Sequence, residues 1–339
     1  MILLRKLLFP FAILYGFITS LRNYLYDKGI LKSYSCDIPI IAVGNLNVGG
    51  TGKTPQIEYL IRLLSPNYNV ATLSRGYKRK SNGFILADAN ATAESLGDEP
   101  FQYFKKFPKI QVAVDADRKN GIEQLLSQAS KPELILLDDA FQHRKVQAGF
   151  YILLTAYNDL FCDDFLLPTG NLRESRNGAK RANIIIVTKC PSSISQIEQE
   201  SIKKRIGLDI PLFFSKIAYD DKVYNDIESI AVSEVKLKDK ILFAGIANPN
   251  PFFDFLQAEN DEIITFADHH HFSESEILGI KNKANEKIII TTEKDFVRLK
   301  AKILKKQLFY LPIKSQFLIS QEAFDQTILN YVGTSTRNR

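Results

Sequence analysis

Cysteine is scarce in this chain of 339 residues, and the three that occur, Cys36, Cys162 and Cys190, are far apart. No C-x-x-C pair is present, so the sequence indicates neither a zinc framework nor a disulfide framework. We therefore expect reduced thiols with structural roles in a cytosolic compartment.

Dense basic blocks and low-complexity tracts are also absent. The formal net charge of +6 and the pI of about 8.9 indicate a mild preference for anionic surfaces or substrates. The aromatic residues lie mostly inside apolar runs, and no Lys/Arg cluster is dense enough for a nucleic-acid-binding arm. We expect no nucleic-acid partner, and nothing in the sequence indicates an obligate protein partner.

The N-terminus lacks an apolar run of the length that crosses a membrane. The stretch LLFPFAILYGFITSL, residues 7–21, has no charge, but a spanning helix needs roughly 20 apolar residues and Pro10 interrupts its first turn. No small-residue cleavage site follows it. Residues 1–34 carry one acid and five basic residues, Arg5, Lys6, Arg22, Lys28 and Lys32. This pattern favours a helix on an anionic membrane surface, and a buried core helix is the alternative.

The rest of the chain alternates short apolar runs with helical patterns. IPIIAVG (residues 38–44), NVATLSR, IQVAV, ELILLDDA, FYILLTA and NIIIVTK are predicted strands, and Lys53 to Leu64 is a predicted helix. Continuous apolar strands separated by helices are typical of a mostly parallel sheet covered on both faces. A second set of strands begins with LFFSKI after Pro211. We predict an α/β protein with an N-terminal membrane-associated helix (1–34), a P-loop NTPase-type domain (35–215) and a smaller α/β domain (216–339).

One loop between a predicted strand and helix has the features of a phosphate-binding loop. NVGGTGKTP, residues 47–55, matches G-x-x-x-x-G-K-[ST] except that Asn47 replaces the first glycine. Asn adopts the left-handed backbone better than most residues, so this departure is tolerable. Backbone N–H groups would bind phosphate oxygens, Lys53 would reach the β- and γ-phosphates, and Thr54 would bind Mg²⁺. The predicted nucleotide-binding residues are Asn47, Val48, Gly49, Gly50, Thr51, Gly52, Lys53 and Thr54.

Two adjacent acids, Asp138 and Asp139, follow the apolar run LILL. A carboxylate at the end of a buried strand near a phosphate loop is the usual place for a magnesium-organising acid. A strand-end turn is the alternative, since Asp is common in turns. Asp139 is the weaker candidate because adjacent residues on a strand point to opposite faces.

Other polar motifs each allow two interpretations. In LGDEP, residues 96–100, Asp98 and Glu99 could simply cap a helix. Of the three histidines in FADHHHF, a single one working with a carboxylate is chemically more useful than a metal cluster. LPTGNLRES, residues 167–175, places Arg173 and Glu174 beside turn residues, where they could bind an acceptor or form an ion pair. SRGYKRK and DADRKNG are further basic loops.

Taken together, these motifs resemble those of the tetraacyldisaccharide 4'-kinase family, the lipid A 4'-kinases of Gram-negative bacteria. The matching stretches, in family order, are VGNLNVGGTGKTP, SRGY, GDEP, DDAFQH, LPTGNLRE, ADHHHF and TEKD. The family tolerates a residue other than glycine at the position of Asn47. The resemblance implies transfer of the ATP γ-phosphate to the 4'-hydroxyl of tetraacyldisaccharide 1-phosphate, which gives lipid IVA, at the cytoplasmic face of the inner membrane.

The resemblance also implies roles for individual residues. Asp98 would take the hydroxyl proton with help from His269, and Lys53 would act on the phosphates. Glu99 would lie near Mg²⁺ with Thr54, Asp138 and Asp139. The candidates for holding the disaccharide and its 1-phosphate are Arg75, Arg118, Gly170, Asn171, Arg173 and Glu174. Because Asp98 and His269 fall in different predicted domains, we expect the domains to close on ATP.

Two other classes of protein share part of this pattern. A membrane-recruited ATPase of the partitioning type also has a G-G-x-G-K-T loop, but its signature lysine would stand where this chain has Val48. A non-catalytic nucleotide-binding adaptor would need neither Asp98 nor His269.

Overall fold

Two separate sheets organise the chain. The computed structural model describes residues 5, 7–268, 270 and 272–337. Residues 1–217 and 315–339 form one unit, and residues 218–314 form another. The predicted α/β class is confirmed. The predicted boundary near residue 216 agrees with this division, but residues 315–339 belong to the first unit and not to the second.

The first unit is built on nine strands in the order β15-β8-β7-β6-β1-β5-β2-β4-β3. Strands β8 to β4 in this order run parallel, and β3 pairs antiparallel with β4. The strands are β1 Ile40–Asn45, β2 Val70–Ser74, β3 Ile85–Leu86, β4 Gln111–Val114, β5 Leu134–Asp138, β6 Phe150–Ala156, β7 Ile184–Thr188, β8 Leu212–Tyr219 and β15 Ile313–Phe317.

Helices cover both faces of this sheet. They are α1 Phe9–Asp27, α2 Lys53–Leu64, α3 Ala93–Leu96, α4 Asp98–Lys106, α5 Arg118–Leu126, α6 Gln196–Ile206 and α11 Gln321–Arg337, with 3₁₀ turns at Phe161–Asp163 and Arg176–Arg181. Alternate residues of β1 point to opposite faces, as the period of a strand requires. Ile41 and Val43 join a core with α2 and α11, whereas Ile40 and Ala42 join a core with α5. The predicted helix from Lys53 to Leu64 is confirmed.

The C-terminal segment belongs to the first unit because its apolar residues complete that core. Phe317 of β15 and Phe324, Ile328 and Val332 of α11 are buried in the same cluster as Ile57 of α2. Their burial explains why the chain returns to the nine-stranded sheet, which local sequence patterns do not indicate.

The second unit has six strands in the order β10-β9-β14-β13-β11-β12, and the four from β14 to β12 are parallel. The strands are β9 Lys222–Tyr224, β10 Ser229–Ala231, β11 Lys240–Ala244, β12 Glu262–Thr265, β13 Ile288–Thr292 and β14 Leu308–Leu311. Two pairs of helices cover its two faces. They are α7 Val232–Val235 with α8 Asn250–Leu256, and α9 Glu274–Ala284 with α10 Glu293–Leu299.

Candidate active site

The candidate site lies at the carboxyl edge of the nine-stranded sheet. Strand β1 lies between β5 and β6. Strand β2 lies on the β5 side of β1, whereas β6 and β7 lie on the other side, so the strand order reverses at β1. Such a switch in strand order opens a crevice at the carboxyl ends of parallel strands, where ligands bind in α/β proteins. The loops that follow β1, β5, β6 and β7 therefore meet there.

The predicted phosphate loop, residues 47–54, follows β1 and leads into α2. Gly49 and Gly52 have left-handed backbones, with φ of 118° and 86°, and Gly52 is the N-cap of α2. A side chain would be strained at these two positions, so glycine is needed there. The loop thus directs the N-terminus of a twelve-residue helix into the crevice, which favours an anion.

Asn47 fixes this loop through its side chain. It is fully buried, and its Nδ2 donates to Asp164 Oδ2 at 3.2 Å and lies 3.5 Å from Asp159 Oδ1. Its carbonyl accepts a hydrogen bond from Asn45 Nδ2 at 2.7 Å. Asn47 is not among the residues with positive φ, so the chain tolerates Asn here without using a left-handed backbone. The Nδ2 group of Asn47 is used at this position, and the backbone does not need the freedom of glycine.

Lys53 and Arg173 bring two cations to the same acid. Lys53 Nζ donates to Asn45 Oδ1 at 3.1 Å and lies 3.7 Å from Asp139 Oδ1. The Arg173 guanidinium donates to Asp139 Oδ1 at 2.9 Å and Oδ2 at 3.3 Å. It also donates to the Asn45 carbonyl at 2.9 Å and to Asn45 Oδ1. Burial alone would raise the pKa of Asp139, but Lys53 and Arg173 outweigh it and lower that pKa.

Asp138 is in a different environment from its neighbour. Its side chain is buried, and Oδ2 accepts a hydrogen bond from the Tyr103 hydroxyl at 3.2 Å, whereas Oδ1 has no partner among the described residues. Burial, reinforced by the charge of Asp139, raises the pKa of Asp138 to about 6. A buried carboxylate oxygen without a partner is costly unless a ligand satisfies it. Asp138 is therefore suited to bind a cation.

The residues predicted to bind Mg²⁺ fit an ion that is also bound by the phosphates of a substrate. The described part of the chain contains no group of three or more His, Cys, Asp or Glu side chains that could hold a metal ion alone. Burial raises the pKa of Tyr103, and the nearby charge of Glu99 adds to this rise, as it does for Asp138, whereas the Thr54 side chain opposes it. Mg²⁺ is usually bound by one or two carboxylates together with substrate phosphates and water, so a partial set is sufficient.

Asp98 does not cap its helix. Helix α4 begins at Asp98, its N-cap is Gly97 with φ of 93°, and no side chain makes the capping hydrogen bond. Asp98 and Glu99 are both half-buried in the first turn. The helix-capping interpretation of Asp98 is therefore wrong, although both acids favour the positive helix end.

Two of the predicted acceptor-binding residues face the protein interior. Arg118 is 2% exposed, and its guanidinium donates to the carbonyls of Asp115 at 3.0 Å and Asp138 at 3.4 Å. Burial lowers its pKa to about 10. Glu174 is 3% exposed and accepts hydrogen bonds from Arg181 at 2.7 Å and Gln142 at 3.1 Å. Protein groups thus engage both side chains, and contact of Arg118 and Glu174 with the acceptor stays a prediction.

The other predicted acceptor residues lie nearer the surface or the loop. Arg75 is exposed after β2, and its charge contributes to lowering the pKa of Arg118. Gly170 is buried against the carbonyl of Phe165, and the Asn171 carbonyl accepts a hydrogen bond from Val48 N at 2.8 Å. The segment of residues 164–174, which we call the strap, therefore holds the phosphate loop directly.

The histidine cluster is described only in part. His269 and His271 lie outside the described residues. The His270 ring packs 4.7 Å from the Phe266 ring, and its Nε2 is 3.0 Å from Glu276 Oε1. His270 is thus engaged within the second unit.

Helix α1 exposes its apolar side chains. Phe11, Ile13, Leu14, Phe17 and Ile18 are 56–65% exposed, and its two buried residues are Ala12 and Gly16. The alternative of a buried core helix is therefore wrong. Within the described residues, no helix combines the length and the apolar character needed to cross a membrane.

Polar residues at the end of β7, which are not among the predicted site residues, also border the phosphate loop. The Thr188 hydroxyl donates to the Thr51 carbonyl at 2.7 Å, which fastens β7 to the phosphate loop. Lys189 has a left-handed backbone, φ 55°, and its Nζ lies 3.9 Å from the place that a Cβ on Gly50 would occupy. Burial lowers the pKa of Lys189, and Lys53 adds to this effect. In the sequence, the polar residues of VTK at the end of a predicted buried strand are the feature that could have indicated this.

A cavity of about 480 Å³ opens beside the strap, whose Asp164 and Asn171 line it. Its lining comes from the loop after β6 and from α6, and includes Tyr157, Asp159, Ile202 and Arg205. Asp159 both lines the cavity and contacts Asn47 of the phosphate loop. Asp159 therefore joins the cavity wall to the side chain of Asn47, at the start of the phosphate loop.

The strand order, the phosphate loop and the acids after β5 define the class of P-loop nucleotide-binding proteins, with an arrangement suited to phosphoryl transfer. Residues 4–333 match the sequence profile of the family described as tetraacyldisaccharide-1-P 4'-kinase. The chain belongs to this family.

Similar proteins cover the chain almost from end to end. It is 66% identical to a tetraacyldisaccharide 4'-kinase of Flavobacterium psychrophilum, over 99% of each chain. It is 46% identical to a tetraacyldisaccharide 4'-kinase of Bacteroides thetaiotaomicron, over 99% of this chain and 95% of the relative. A crystal structure of LpxK from Aquifex aeolicus, described as an "apo" form in complex with ATP, superposes with a TM-score of 0.80 at 32% identity. That comparison covers 97% of this chain and 99% of the other.

Proposed function

We propose that the site at the end of β1 and β5 transfers the γ-phosphate of ATP to the 4'-hydroxyl of tetraacyldisaccharide 1-phosphate. The product is lipid IVA, a precursor of lipid A. The observation that carries the assignment of residues is the convergence of Lys53, Arg173 and the Asp138–Asp139 pair on the loop that begins α2. Family membership supports the acceptor, and this convergence supports the location of the site.

ATP occupies the phosphate loop and the adjoining cavity. The N-terminus of α2 and the loop N–H groups bind the phosphates, and Lys53 neutralises charge on the β- and γ-phosphates. Its link to Asn45 and Asp139 holds the ammonium at the loop before ATP arrives. Lys189 supplies a second cation beside Gly50. The cavity at Asp159 has room for the nucleoside.

Asp138, Thr54 and Glu99 are the residues that would hold Mg²⁺. The ion would neutralise charge on the phosphates, as in other P-loop enzymes. The unpartnered buried oxygen of Asp138 supports this assignment. Asp139 is occupied by Arg173 and Lys53, so its role is to position those cations.

Asp98 is the general base for the acceptor hydroxyl. It lies in the first turn of α4, one residue before Glu99. Phosphoryl transfer depends mainly on positioning and charge stabilisation, with a carboxylate to accept the proton. His269 would assist Asp98, and this role rests on the motif alone.

The acceptor is a lipid, and the exposed apolar face of α1 is suited to reach it. We place the protein at the cytoplasmic face of the inner membrane, with α1 lying in the interface. The exposed Arg75 and the half-buried Arg173 are the candidates for the sugar and its 1-phosphate.

The test is transfer of labelled γ-phosphate from Mg·ATP to purified tetraacyldisaccharide 1-phosphate by the wild type and by Asp98→Asn. We expect the variant to lose at least about a hundredfold in kcat while its affinity for ATP stays nearly unchanged, because general base catalysis contributes about 10²–10⁴-fold. Asp209→Asn, at an exposed carboxylate between α6 and β8, is the matched control. Unchanged turnover in Asp98→Asn would remove Asp98 from the mechanism.

A further inference from the structure

Helix α1 is attached to the active site by its polar side chains. The Tyr15 hydroxyl donates to the carbonyl of Arg173 at 2.7 Å, and Asn23 Nδ2 donates to Glu174 Oε2 at 2.7 Å. Both acceptors belong to the strap. Between these contacts the helix packs closely, since a Cβ on Gly16 would come within 2.6 Å of Leu166 Cδ1. The face of α1 opposite its exposed apolar residues is therefore fitted to the strap.

Arg5 makes a third attachment just before the helix. Its Nε donates to the Pro168 carbonyl at 3.1 Å, and its Nη2 donates to Asn171 Oδ1 at 3.1 Å and to the Gly170 carbonyl. The strap is thus bound along most of its length by the N-terminal segment.

The same strap residues hold the catalytic loop from the other side. Arg173 N donates to the Leu46 carbonyl and Val48 N donates to the Asn171 carbonyl, both at 2.8 Å. The Arg173 guanidinium also orders Asp139 and Asn45, which are the partners of Lys53. Arg173 therefore connects the Tyr15 hydroxyl directly to Asp139 and Asn45, the partners of Lys53.

Glu174 extends this connection through a buried network. Its carboxylate accepts hydrogen bonds from Asn23, Arg181 and Gln142, and Gln142 Nε2 also donates to the Asn45 carbonyl at 2.8 Å. Glu174 is 3% exposed, so no water can readily replace a lost donor. Removing the Asn23 amide would leave Glu174 Oε2 buried without its hydrogen-bond donor. Because an unsatisfied buried carboxylate is costly, we expect the Glu174 side chain to move.

We propose that Tyr15 and Asn23 are positioning residues for phosphoryl transfer, and that seating of α1 on the strap sets Arg173 and the loop partners of Lys53. This inference rests on the proposed function. Helix α1 then has two independent faces. The apolar face governs contact with lipid, and the polar face governs the rate of the chemical step.

The test compares variants of the two faces in the labelled-phosphate assay, with kcat and KM measured separately for ATP and the lipid acceptor. Tyr15→Phe and Asn23→Ala are expected to lower kcat about five- to tenfold, since each removes one hydrogen bond to a group that positions charge. Their binding to vesicles of phosphatidylethanolamine and phosphatidylglycerol is expected to equal that of the wild type. A purely anchoring role would change vesicle binding or the lipid KM and would leave kcat alone.

Two variants on the exposed side of the same helix serve as controls, and both are expected to keep the wild-type kcat. Tyr24→Phe, at a tyrosine that is 54% exposed, keeps wild-type kinetics. Phe17→Ser, at an apolar residue that is 65% exposed, weakens vesicle binding and raises the lipid KM but keeps kcat at saturating acceptor. Thermal unfolding of each variant identifies any that fail to fold, and the conservative Tyr15→Phe keeps the test decisive.

The outcomes separate this inference from the proposed function. If the wild type transfers no phosphate to the acceptor, the proposed function fails. If the wild type is active and Tyr15→Phe and Asn23→Ala both retain its kcat, the positioning role of α1 is overturned and the proposed function stands.

Discussion

Replacing Asn47 by glycine would restore the usual phosphate-loop sequence, and we expect it to destabilise the protein. The substitution removes a fully buried amide that donates to Asp164 and lies near Asp159. A hydrogen bond to a charged group contributes about 1.5–3 kcal/mol. Asn47 does not have positive φ, so glycine relieves no strain and adds roughly 0.5–1 kcal/mol of unfolded-chain entropy.

Together these effects lower the free energy of unfolding by about 3 kcal/mol. For a domain of this size 1 kcal/mol corresponds to about 2–4 °C, so we expect Tm to fall by about 6–12 °C. Differential scanning calorimetry without nucleotide measures this change. Asn47→Ala loses the same hydrogen bonds without the full entropy cost, and its Tm is expected to lie between the two. A glycine variant as stable as the wild type, or more stable, would refute the reasoning.

The other predictions concern charge at the same site. Asp138→Asn is expected to abolish Mg²⁺-dependent transfer and yet raise stability at pH 7 by roughly 1–3 kcal/mol, because burial raises the folded-state pKa of Asp138 to about 6 from 3.8 and ionising it opposes folding above that range. In the wild type this penalty is absent below about pH 4 and grows as pH rises to about 6, so the stability gain of Asp138→Asn, followed by thermal unfolding, should vanish at low pH. A gain that does not depend on pH would contradict this account. Lys189→Ala is expected to raise the KM for ATP about tenfold and leave the KM for the lipid acceptor unchanged, and steady-state kinetics that show the reverse would place Lys189 on the acceptor side.

The sequence was sufficient for the parts of the fold that depend on local pattern. The run of apolar strands predicted a mostly parallel sheet, and the glycines with Lys53 and Thr54 predicted the loop at the start of α2. The return of residues 315–339 to the first sheet was not predictable, because Phe317 and Phe324 are typical core residues for either unit.

Site residues at the ends of predicted strands could be identified from the sequence. Residues whose role depends on burial could not. Asp138 and Asp139 follow a buried strand, but their different environments depend on Tyr103 and Arg173, which are distant in sequence. The sequence makes Arg118 a candidate for acceptor binding because it does not show that the guanidinium is buried. Lys189 is not predictable as a site residue, because only the strand order shows that β7 ends next to the phosphate loop.

The most direct test of the central claim is the position of the transferred phosphate. Wild-type protein is incubated with Mg·ATP and tetraacyldisaccharide 1-phosphate in detergent, and the lipid product is examined by phosphorus NMR alongside a 4'-deoxy acceptor. We predict a bis-phosphorylated product with its new phosphate on the 4'-oxygen and no transfer to the deoxy compound. Phosphate at another position, or no transfer despite tight binding of ATP, would contradict the assignment of the acceptor.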